Sequence, residues 1–305
     1  MQKSANNNTK PARAPLRDVD GIFLLDKPSG ISSALALTKV RGIFRANKGG
    51  HTGTLDPLAS GLLPICLGQA AKFSSYFFEG AKKYIATGKL GISTTTCDAE
   101  GEVVETKDYQ GCIDKLESTI ESFLGEITQV PPIYSAIKVE GRPLYKYARI
   151  GQVVEVPSRQ VQIFSIDILD KKADEFTVCV YCSKGTYIRT LVSDIGQALG
   201  CGAHVSMLRR IEVDGLPKGQ MHTLEFLQNL ADSRDDIAYF DDMDRLLIKV
   251  EDAMNYLPMI NVPYDKAVLL CMGQRQKIDD SYSFEKISCF ERPVGIALSR
   301  YNEMY

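Results

Sequence analysis

Two neighbouring segments in the middle of the chain alternate apolar and polar residues, and this rhythm constrains the fold most. They run from Val161 to Leu169 and from Glu175 to Tyr181. A period of two residues is typical of strands that bury one face. The remaining patterns predict strands at 21–25 and 83–90, and helices at 35–44, 70–78, 112–124 and from about 187 onward. Single helices between strand-rich stretches, rather than regular βαβ repeats, predict an α+β fold on a largely antiparallel or mixed sheet.

The composition excludes several classes of protein. The chain has 305 residues, of which 44% are apolar and 24% charged, so it can bury a sizeable core and is neither disordered nor collagen-like. Its longest apolar runs, such as 22–25, are far shorter than the roughly 18 residues of a membrane span. We therefore expect a globular protein and not a membrane protein.

The ends of the chain and its cysteines bear on organisation and compartment. Residues 1–20 are polar and lack the apolar core of a secretory signal, so we expect a disordered arm. The eight cysteines show no spacing typical of a disulfide framework, which favours reduced thiols in the cytoplasm. The Asp-rich stretch 232–244 predicts an exposed acidic connection, and the residues from about 250 onward predict a small β-rich module.

The formal net charge of −2 hides an asymmetry along the chain. Residues 1–90 contain 13 Lys and Arg against 5 Asp and Glu, so the remainder is net acidic. The basic region includes Lys39, Arg41, Arg45, Lys48, Lys72, Lys82, Lys83 and Lys89. Such a region is able to attract a polyanion such as RNA. Ordinary solvated helix faces explain it too, because a count does not show that the charges share one surface.

The most unusual segment is rich in glycine and contains two side chains able to do chemistry. It reads KGGHTGTLDPLASG at 48–61 and continues as LLPICLG to residue 68. Its glycines permit left-handed backbone and close approach, which predicts a shaped loop that holds His51 and Asp56. An Asp-Pro turn without a chemical role accounts for the same residues, so spacing alone leaves the choice open.

Other well-known site patterns are missing or isolated. The chain has no G-x-x-x-x-G-K-[ST], G-x-G-x-x-G or H-E-x-x-H sequence. Cys179 and Cys182 have C-x-x-C spacing but lie in an alternating strand without a second pair, so no zinc site is predicted. Cys66 is interpreted as a packing residue rather than a nucleophile. We expect no bound metal.

Several long motifs resemble, in order and spacing, those of the TruB family of pseudouridine synthases, the bacterial tRNA pseudouridine-55 synthases. The segment GGHTGTLDPLASGLLPICLGQAAKF carries the resemblance most strongly. The other matching segments are LDKPSGISS at 25–33, KKYIATGKLGISTTTCDAEGEVV at 82–104, QVPPIYSAIKVEGRPLYKYAR at 129–149, SKGTYIRTLVSDIG at 183–196 and MLRR at 207–210. Together they cover most of residues 21–215.

The resemblance implies an isomerase without a cofactor, which detaches uracil from its ribose, turns it and rejoins it through carbon. Asp56 matches the family's catalytic carboxylate, which either attacks the ribose or base or helps to remove a sugar proton. Arg189, in the K-G-T-Y-I-R motif, matches the partner that would hold this carboxylate charged. Tyr84 matches the tyrosine against the target base, where its ring can stack and its hydroxyl can move a proton. From composition alone, Tyr84 is a packing aromatic.

The resemblance also implies RNA-binding positions. His51 matches the residue that fills the gap left when the target nucleotide is extruded into the site. Tyr187 and Leu208 match positions that line the base pocket, although both fit a core role as well. Lys27 and Asp98 match a basic and an acidic position near the substrate, with a structural lysine and a turn-forming aspartate as the alternatives.

The family's fold is a mixed, mainly antiparallel catalytic sheet followed by a small C-terminal PUA-like β-rich domain. We therefore expect a disordered basic arm at 1–20, a catalytic domain at 21–249 with an RNA-gripping insertion at about 105–150, and the PUA-like domain at 250–305. The insertion favours the stand-alone bacterial enzyme over the related RNA-guided synthase. The expected protein is a cytoplasmic monomer that needs no protein partner and modifies uridine-55 in the T stem-loop of tRNA.

Two other functions remain open at this stage. A tRNA-folding chaperone would bind the same RNA without chemistry, but a carboxylate in an RNA groove repels phosphate and serves a pure binder poorly. A carboxylate glycosidase normally needs a second acid, and none accompanies Asp56 in its loop.

Overall fold

Each predicted strand and helix has a counterpart in the structure, but two long strands, at 60–67 and 203–213, were not predicted. The computed structural model describes residues 15–135, 137–232, 239–254, 264–272 and 274. In chain order the elements of these residues are β1 (Gly21–Lys27), α1 (Ser33–Phe44), β2 (Gly49–His51), β3 (Ser60–Leu67), α2 (Ser74–Glu79), β4 (Lys82–Leu90), β5 (Ile92–Thr94), β6 (Val103–Thr106), α3 (Leu116–Glu121), β7 (Gly125–Gln129), β8 (Lys138–Val139), β9 (Arg142–Pro143), α4 (Leu144–Ala148), β10 (Arg159–Lys171), β11 (Glu175–Cys182), α5 (Ile188–Ala198), β12 (Ala203–Val213), β13 (His222–Thr223), α6 (Leu224–Asp232), α7 (Tyr239–Asp244), α8 (Val250–Ala253) and α9 (Tyr264–Cys271). Short 3-10 turns precede α2 and α3, at Gly68–Phe73 and Cys112–Lys115.

Nine of these strands form one mixed sheet. Their order is β13-β1-β3-β12-β4-β11-β10-β7, and β2 pairs with the end of β3. The pairs β1–β13 and β3–β12 are parallel, and the other pairs of this sheet are antiparallel. The predicted mixed, mainly antiparallel α+β fold is therefore confirmed.

The first helix shows how sequence pattern and packing agree. Its N-cap is Ser32, whose hydroxyl accepts a hydrogen bond from the Leu35 amide at 3.2 Å. Val40 and Phe44, which lie one turn apart, are wholly buried, and the Phe44 ring meets that of Phe23 on β1 edge-on at 5.4 Å. The helix ends where Arg45 adopts the left-handed conformation, with φ of 56°.

The prediction of an exposed acidic connection at 232–244 is wrong for its second half. Residues 239–244 form α7, in which Met243 is wholly buried in the core. The carboxylate of Asp244 accepts a hydrogen bond from the Arg17 guanidinium at 2.5 Å. An amphipathic helix explains the composition, because acidic side chains are favourable near a helix N-terminus while an apolar residue on another side packs inward.

The insertion predicted at about 105–150 includes a strand of the main sheet. β7 pairs with β10 at the sheet edge, and the residues between them, 130–158, hold the β8–β9 hairpin and α4. The described residues on both sides of β7, within 105–124 and 130–150, therefore lie outside the main sheet. The RNA-gripping role of the insertion stays a prediction.

The chain divides into two contact units, residues 1–248 and 249–305. In the second unit the described residues form α8 and α9. The remainder of the expected PUA-like module falls outside the described residues, as does most of the expected arm at 1–20, and both stay predictions. No helix in the described part of the chain is long and apolar enough to cross a membrane.

Candidate active site

The glycine-rich segment is a loop between β2 and β3 that is pinned by backbone and hydroxyl contacts. Ser33 Oγ lies 2.8 Å from both the amide and the carbonyl oxygen of Leu55. Ser29 Oγ donates to the Leu58 carbonyl at 2.8 Å. The K-P-S-G turn after β1 and the start of α1 thus fix the loop on either side of Asp56.

Lys27 lies beneath this loop and not on a surface. Its side chain is wholly buried, and Nζ donates to the carbonyls of Pro28, Ile31 and Pro57 at 2.9, 2.7 and 3.3 Å. Burial lowers the pKa of Lys27 to about 8, although the nearby Asp56 favours the charged form. This geometry fits the structural alternative for Lys27 rather than direct contact with RNA.

The Arg189 side chain, on α5, contacts three other segments of the chain on the buried side of the site. Nε lies 2.9 Å from Oδ2 of Asp56, and Nη1 lies 3.3 Å from Oδ2 of Asp98. Nη1 and Nη2 also donate to the carbonyls of Thr96 and Tyr134 at 2.7 and 2.9 Å. Because Arg189 is the second residue of α5 and 3% exposed, the helix start orients a desolvated cation toward the loop carboxylate.

The two carboxylates on Arg189 differ in access. The side chain of Asp56 is 34% exposed and that of Asp98 is 3% exposed. Asp98 is further occupied by hydrogen bonds from the Thr96 hydroxyl at 2.5 Å and the Glu100 amide at 3.0 Å. A substrate can therefore reach the Asp56 carboxylate, whereas the buried Asp98 carboxylate contacts the interior side of the site, at Arg189.

Burial raises the pKa of Asp56 above its ordinary value. The Arg189 guanidinium opposes this rise, the Asp98 carboxylate adds to it, and Lys27 opposes it as well. The site thus holds an ionisable carboxylate in a partly dry environment with a cation on one oxygen. Such a group is able to act as a nucleophile or as a base.

Tyr84 lies on β4 and shares a face with residues of β12. The register pairs it with Arg210, and Leu208 is paired two residues away with Ala86. Burial raises the pKa of the Tyr84 phenol, the Arg210 guanidinium opposes the rise, and Asp56 adds to it. Leu208 itself is 5% exposed and belongs to the core, so its side chain contributes little open surface.

His51 is the last residue of β2 and is half-buried. Burial lowers its pKa, and the charge of Arg210 lowers it further. Its Nδ1 is buried and has no hydrogen-bond partner among the described residues. The start of the loop thus carries a half-buried imidazole whose environment favours the neutral form.

Tyr187 caps α5 and is held by an amide that the sequence analysis did not single out. Gln129 is wholly buried, and its side chain accepts from the Tyr187 amide at 3.0 Å and donates to the Tyr187 carbonyl at 3.2 Å. The Arg159 guanidinium lies 5.4 Å from the centre of the Tyr187 ring. The end of β7 thus sets the start of the helix that carries Arg189.

The structure brings Asp56, Arg189, Asp98 and Tyr84 together, with Tyr187 within electrostatic reach of Asp56. Sequence reasoning missed Gln129 and Arg210, although both lie in motifs that it quoted. The sequence signal that could have identified them is a polar residue on the largely apolar face of a strand. This signal is weak, because the sequence does not show which face of the strand points inward.

The cations of the basic region at residues 1–90 differ in burial and pairing. Lys82 is buried, and Lys89 forms an ion pair with Asp174. Lys39 and Lys48 are exposed, on α1 and beside β2. The charge count therefore overstates the number of cations that face solvent.

The cysteines of the described residues do not form a metal centre. Cys66, Cys179 and Cys182 are buried free thiols, and burial raises the pKa of each. No group of three or more His, Cys, Asp or Glu side chains in the described ranges is arranged to hold a metal ion.

Two family models match consecutive parts of the chain. The model described as the N-terminal domain of the TruB family pseudouridylate synthases matches residues 41–188, and the model described as the tRNA pseudouridylate synthase B C-terminal domain matches residues 189–255. Together they cover well over half of the chain. The fold, the site and these matches define the class of protein as a pseudouridylate synthase.

Relatives of similar length agree with this class. A tRNA pseudouridine synthase B of Haemophilus influenzae (strain PittEE) is 48% identical over 261 residues, which are 86% of this chain and 84% of the relative. The protein of the same name from Mannheimia succiniciproducens is 48% identical over 264 residues, 87% of this chain and 85% of the relative. The chain belongs to the TruB family.

Solved structures show the same architecture. The structure titled as a Cbf5-Nop10-Gar1 complex contains a chain that is 29% identical and superposes with a TM-score of 0.62, covering 84% of this chain and 68% of that one. An archaeal box H/ACA sRNP Nop10-Cbf5 complex gives a TM-score of 0.63 at 25% identity, over 85% of this chain and 68% of that one.

Proposed function

We propose that this protein converts uridine to pseudouridine in RNA, and that its target is uridine-55 in the T loop of tRNA. The observation that carries the proposal is the contact between Asp56 and the buried Arg189 in a chain of the TruB family. The relatives named tRNA pseudouridine synthase B support tRNA as the substrate. Because the reaction is an isomerisation, it requires neither a redox partner nor a group donor.

Asp56 is the proposed catalytic carboxylate. Its partial exposure lets a ribose or base approach, and Arg189 supports its ionised form against the effect of burial. An ionised carboxylate is needed whether Asp56 attacks the ribose or base or accepts a sugar proton. Tyr84 is the proposed second catalytic group, since its ring can stack on the base and its hydroxyl can pass a proton.

A base stacked inside a folded loop does not reach Asp56, so the nucleotide must be extruded. Extrusion costs a few kcal/mol, which phosphate contacts and stacking offset. His51 is proposed to fill the vacated position, and Tyr187 and Leu208 to line the base pocket. Asp98 and Lys27 are proposed to hold the site in place without touching RNA. Asp98 does so through its ion pair with Arg189, and Lys27 through its hydrogen bond to the Pro57 carbonyl of the loop.

We further propose that the enzyme acts as a cytoplasmic monomer without an obligatory protein partner. Residues 130–158 give the chain its own segment outside the sheet, and the Tyr134 carbonyl ties the start of this segment to Arg189. An RNA held by this segment would therefore lie next to the catalytic carboxylate. The Cbf5 chains, in contrast, are named as members of complexes.

The test is release of tritium from C5 of uracil, because C5 loses its hydrogen when it bonds to the ribose. A full-length tRNA transcript labelled at C5 would be compared with a transcript that has cytidine at position 55. Wild type should release tritium from position 55 of the first transcript only. Asp56→Asn should release it at least about 10⁴-fold more slowly, as is typical when one member of a catalytic unit is removed.

Asp108→Asn is the matched control, since Asp108 is exposed on the loop after β6 and should leave the rate unchanged. Tight tRNA binding without any release by wild type would contradict the enzyme and favour the RNA-folding chaperone. Equal release from both transcripts would contradict the assigned target.

A further inference from the structure

Two consecutive arginines of β12 have opposite environments. Arg209 has a side chain 35% exposed, and its guanidinium donates two hydrogen bonds to the Asp26 carboxylate at 2.9 and 2.7 Å. Arg210 is 1% exposed and forms no ion pair among the described residues. A buried cation without a counter-ion is costly, and an apolar side chain of similar volume often stabilises a fold as well. Arg210 therefore calls for a role beyond packing.

The Arg210 guanidinium joins two parts of the glycine-rich segment. Nε donates to the Leu62 carbonyl at 2.7 Å, and Nη2 donates to the Gly53 carbonyl at 2.9 Å. Gly53 is left-handed, with φ of +64°, and a Cβ there would lie 3.1 Å from Nη1. One planar group thus links the start of β3 to the turn between His51 and Asp56.

Arg210 is also the register partner of Tyr84 on β4, and its positive charge opposes the rise that burial causes in the pKa of the Tyr84 phenol. The same charge acts on His51. Arg210 from β12, Cys182 from β11 and Asp56 from the loop all influence the pKa of the Tyr84 phenol, which Arg210 lowers and the other two raise. Arg210 is the cation among them.

We propose that Arg210 is a positioning residue for the isomerisation: it fixes the loop at 52–59 to β3 and places a positive charge near the Tyr84 phenol. This inference rests on the proposed function and deepens it. The planar guanidinium donates to two carbonyls from two different nitrogens, a geometry that the single ammonium of a lysine does not reproduce. The charge also favours the neutral imidazole of His51.

The test compares Arg210→Lys and Arg210→Gln with the adjacent Arg209→Lys in the full chain. Single-turnover tritium release should fall about 10-fold in Arg210→Lys and about 100-fold in Arg210→Gln, the range seen when an oriented hydrogen-bond donor is lost. The Kd for tRNA should change by less than about twofold, because Arg210 does not reach the surface. Arg209→Lys should keep the wild-type rate.

Proton NMR titration gives a second measurement, the pKa of His51, which would not change if Arg210 had only a structural role. The chain has three histidines, His51, His204 and His222, so the signals can be assigned by single substitution. The pKa of His51 should rise in Arg210→Gln and stay unchanged in Arg209→Lys. Wild-type release rates in both Arg210 variants, with an unmoved His51 titration, would overturn the inference.

A loop variant keeps the inference testable if the Arg210 variants do not unfold cooperatively. Gly53→Ala presses a methyl group on Nη1, whereas Gly111→Ala has the same left-handed strain, with φ of +72°, and no described atom within 4 Å of its Cβ. Release should slow about 10-fold in Gly53→Ala only. Equal rates in the two variants would contradict Arg210 as a positioning residue. Absence of release by wild type would instead contradict the proposed function.

Discussion

Exposure separates the roles of the two carboxylates at Arg189. Both lie within ion-pair distance of one guanidinium, yet Asp98 is enclosed and Asp56 is open on one side. Three chain segments, around Asp56, at 96–98 and at Tyr134, contact this arginine through carboxylate and carbonyl oxygens. A change in any of them is therefore expected to alter the orientation of Asp56 before it alters the fold.

Lys27 provides a prediction on pH and stability. Its pKa is about 8 in the folded chain, below the ordinary value of 10.5 expected in the unfolded chain. Below pH 8 both states hold the proton, and the destabilising effect of burying the charge is fully present. Between pH 8 and 10.5 the unfolded state binds more protons, so the stability of wild type should rise with pH relative to that of Lys27→Met.

The measurement is the free energy of unfolding in urea for both proteins across this interval. Lys39→Met, at an exposed position of α1, is the control and should differ from wild type by an amount that does not vary with pH. A pH-independent difference for Lys27→Met as well would mean that the amine is solvated in the folded state.

Among the secondary-structure elements, two glycines have opposite packing environments. Gly88 lies in the middle of β4, where a Cβ would approach the Phe176 ring to 2.6 Å and the Val192 side chain of α5 to 2.9 Å. Gly42 lies in α1, where a Cβ would meet no described atom within 4 Å. The glycine in β4 therefore lets α5, and with it Arg189, lie close to the sheet.

Alanine at these two positions should change stability in opposite directions. Gly88→Ala should lower the free energy of unfolding by about 1–3 kcal/mol, because an extra methyl group overpacks a filled core. Gly42→Ala should raise it by about 0.5–1 kcal/mol, because alanine favours the helix over glycine. Chemical denaturation of the full chain measures both, and a stabilising Gly88→Ala would contradict the close approach of α5.

Over the whole molecule, ion pairs as well as composition determine which charges remain available to a ligand. The net charge is −2, and at least two cations of the basic N-terminal part form ion pairs with acidic residues from later in the chain, Lys89 with Asp174 and Arg17 with Asp244. The remaining exposed cations, such as Lys48 beside the glycine-rich loop, are those available to phosphate.

Salt dependence of tRNA binding should distinguish these two kinds of lysine. A cation that contacts phosphate contributes about one unit to the slope of log K against log salt concentration. Lys48→Gln should therefore weaken binding and reduce the slope by about one, and the matched Lys89→Gln should leave the slope nearly unchanged. Filter binding across a salt series measures both, and equal slopes in the two variants would show that Lys48 is not at the RNA surface.

The sequence by itself determined several of the elements and the motifs that carry the candidate site. Strands β10 and β11 and helix α1 were predictable because the periods of two and 3.6 residues depend on local chain geometry. Asp56 and Arg189 were predictable because each lies in a long contiguous motif. These features need no knowledge of which distant residues meet.

Tertiary structure alone decided burial and partners. The depth of Lys27, the packing of Met243 in an acidic stretch and the pairing of Arg210 with Tyr84 depend on contacts between remote segments. The hydrogen bond from Arg210 to Leu62 spans 148 residues. Side-chain chemistry is local, but the dielectric, the counter-ions and the accessible face of a side chain are set by whatever the fold places around it.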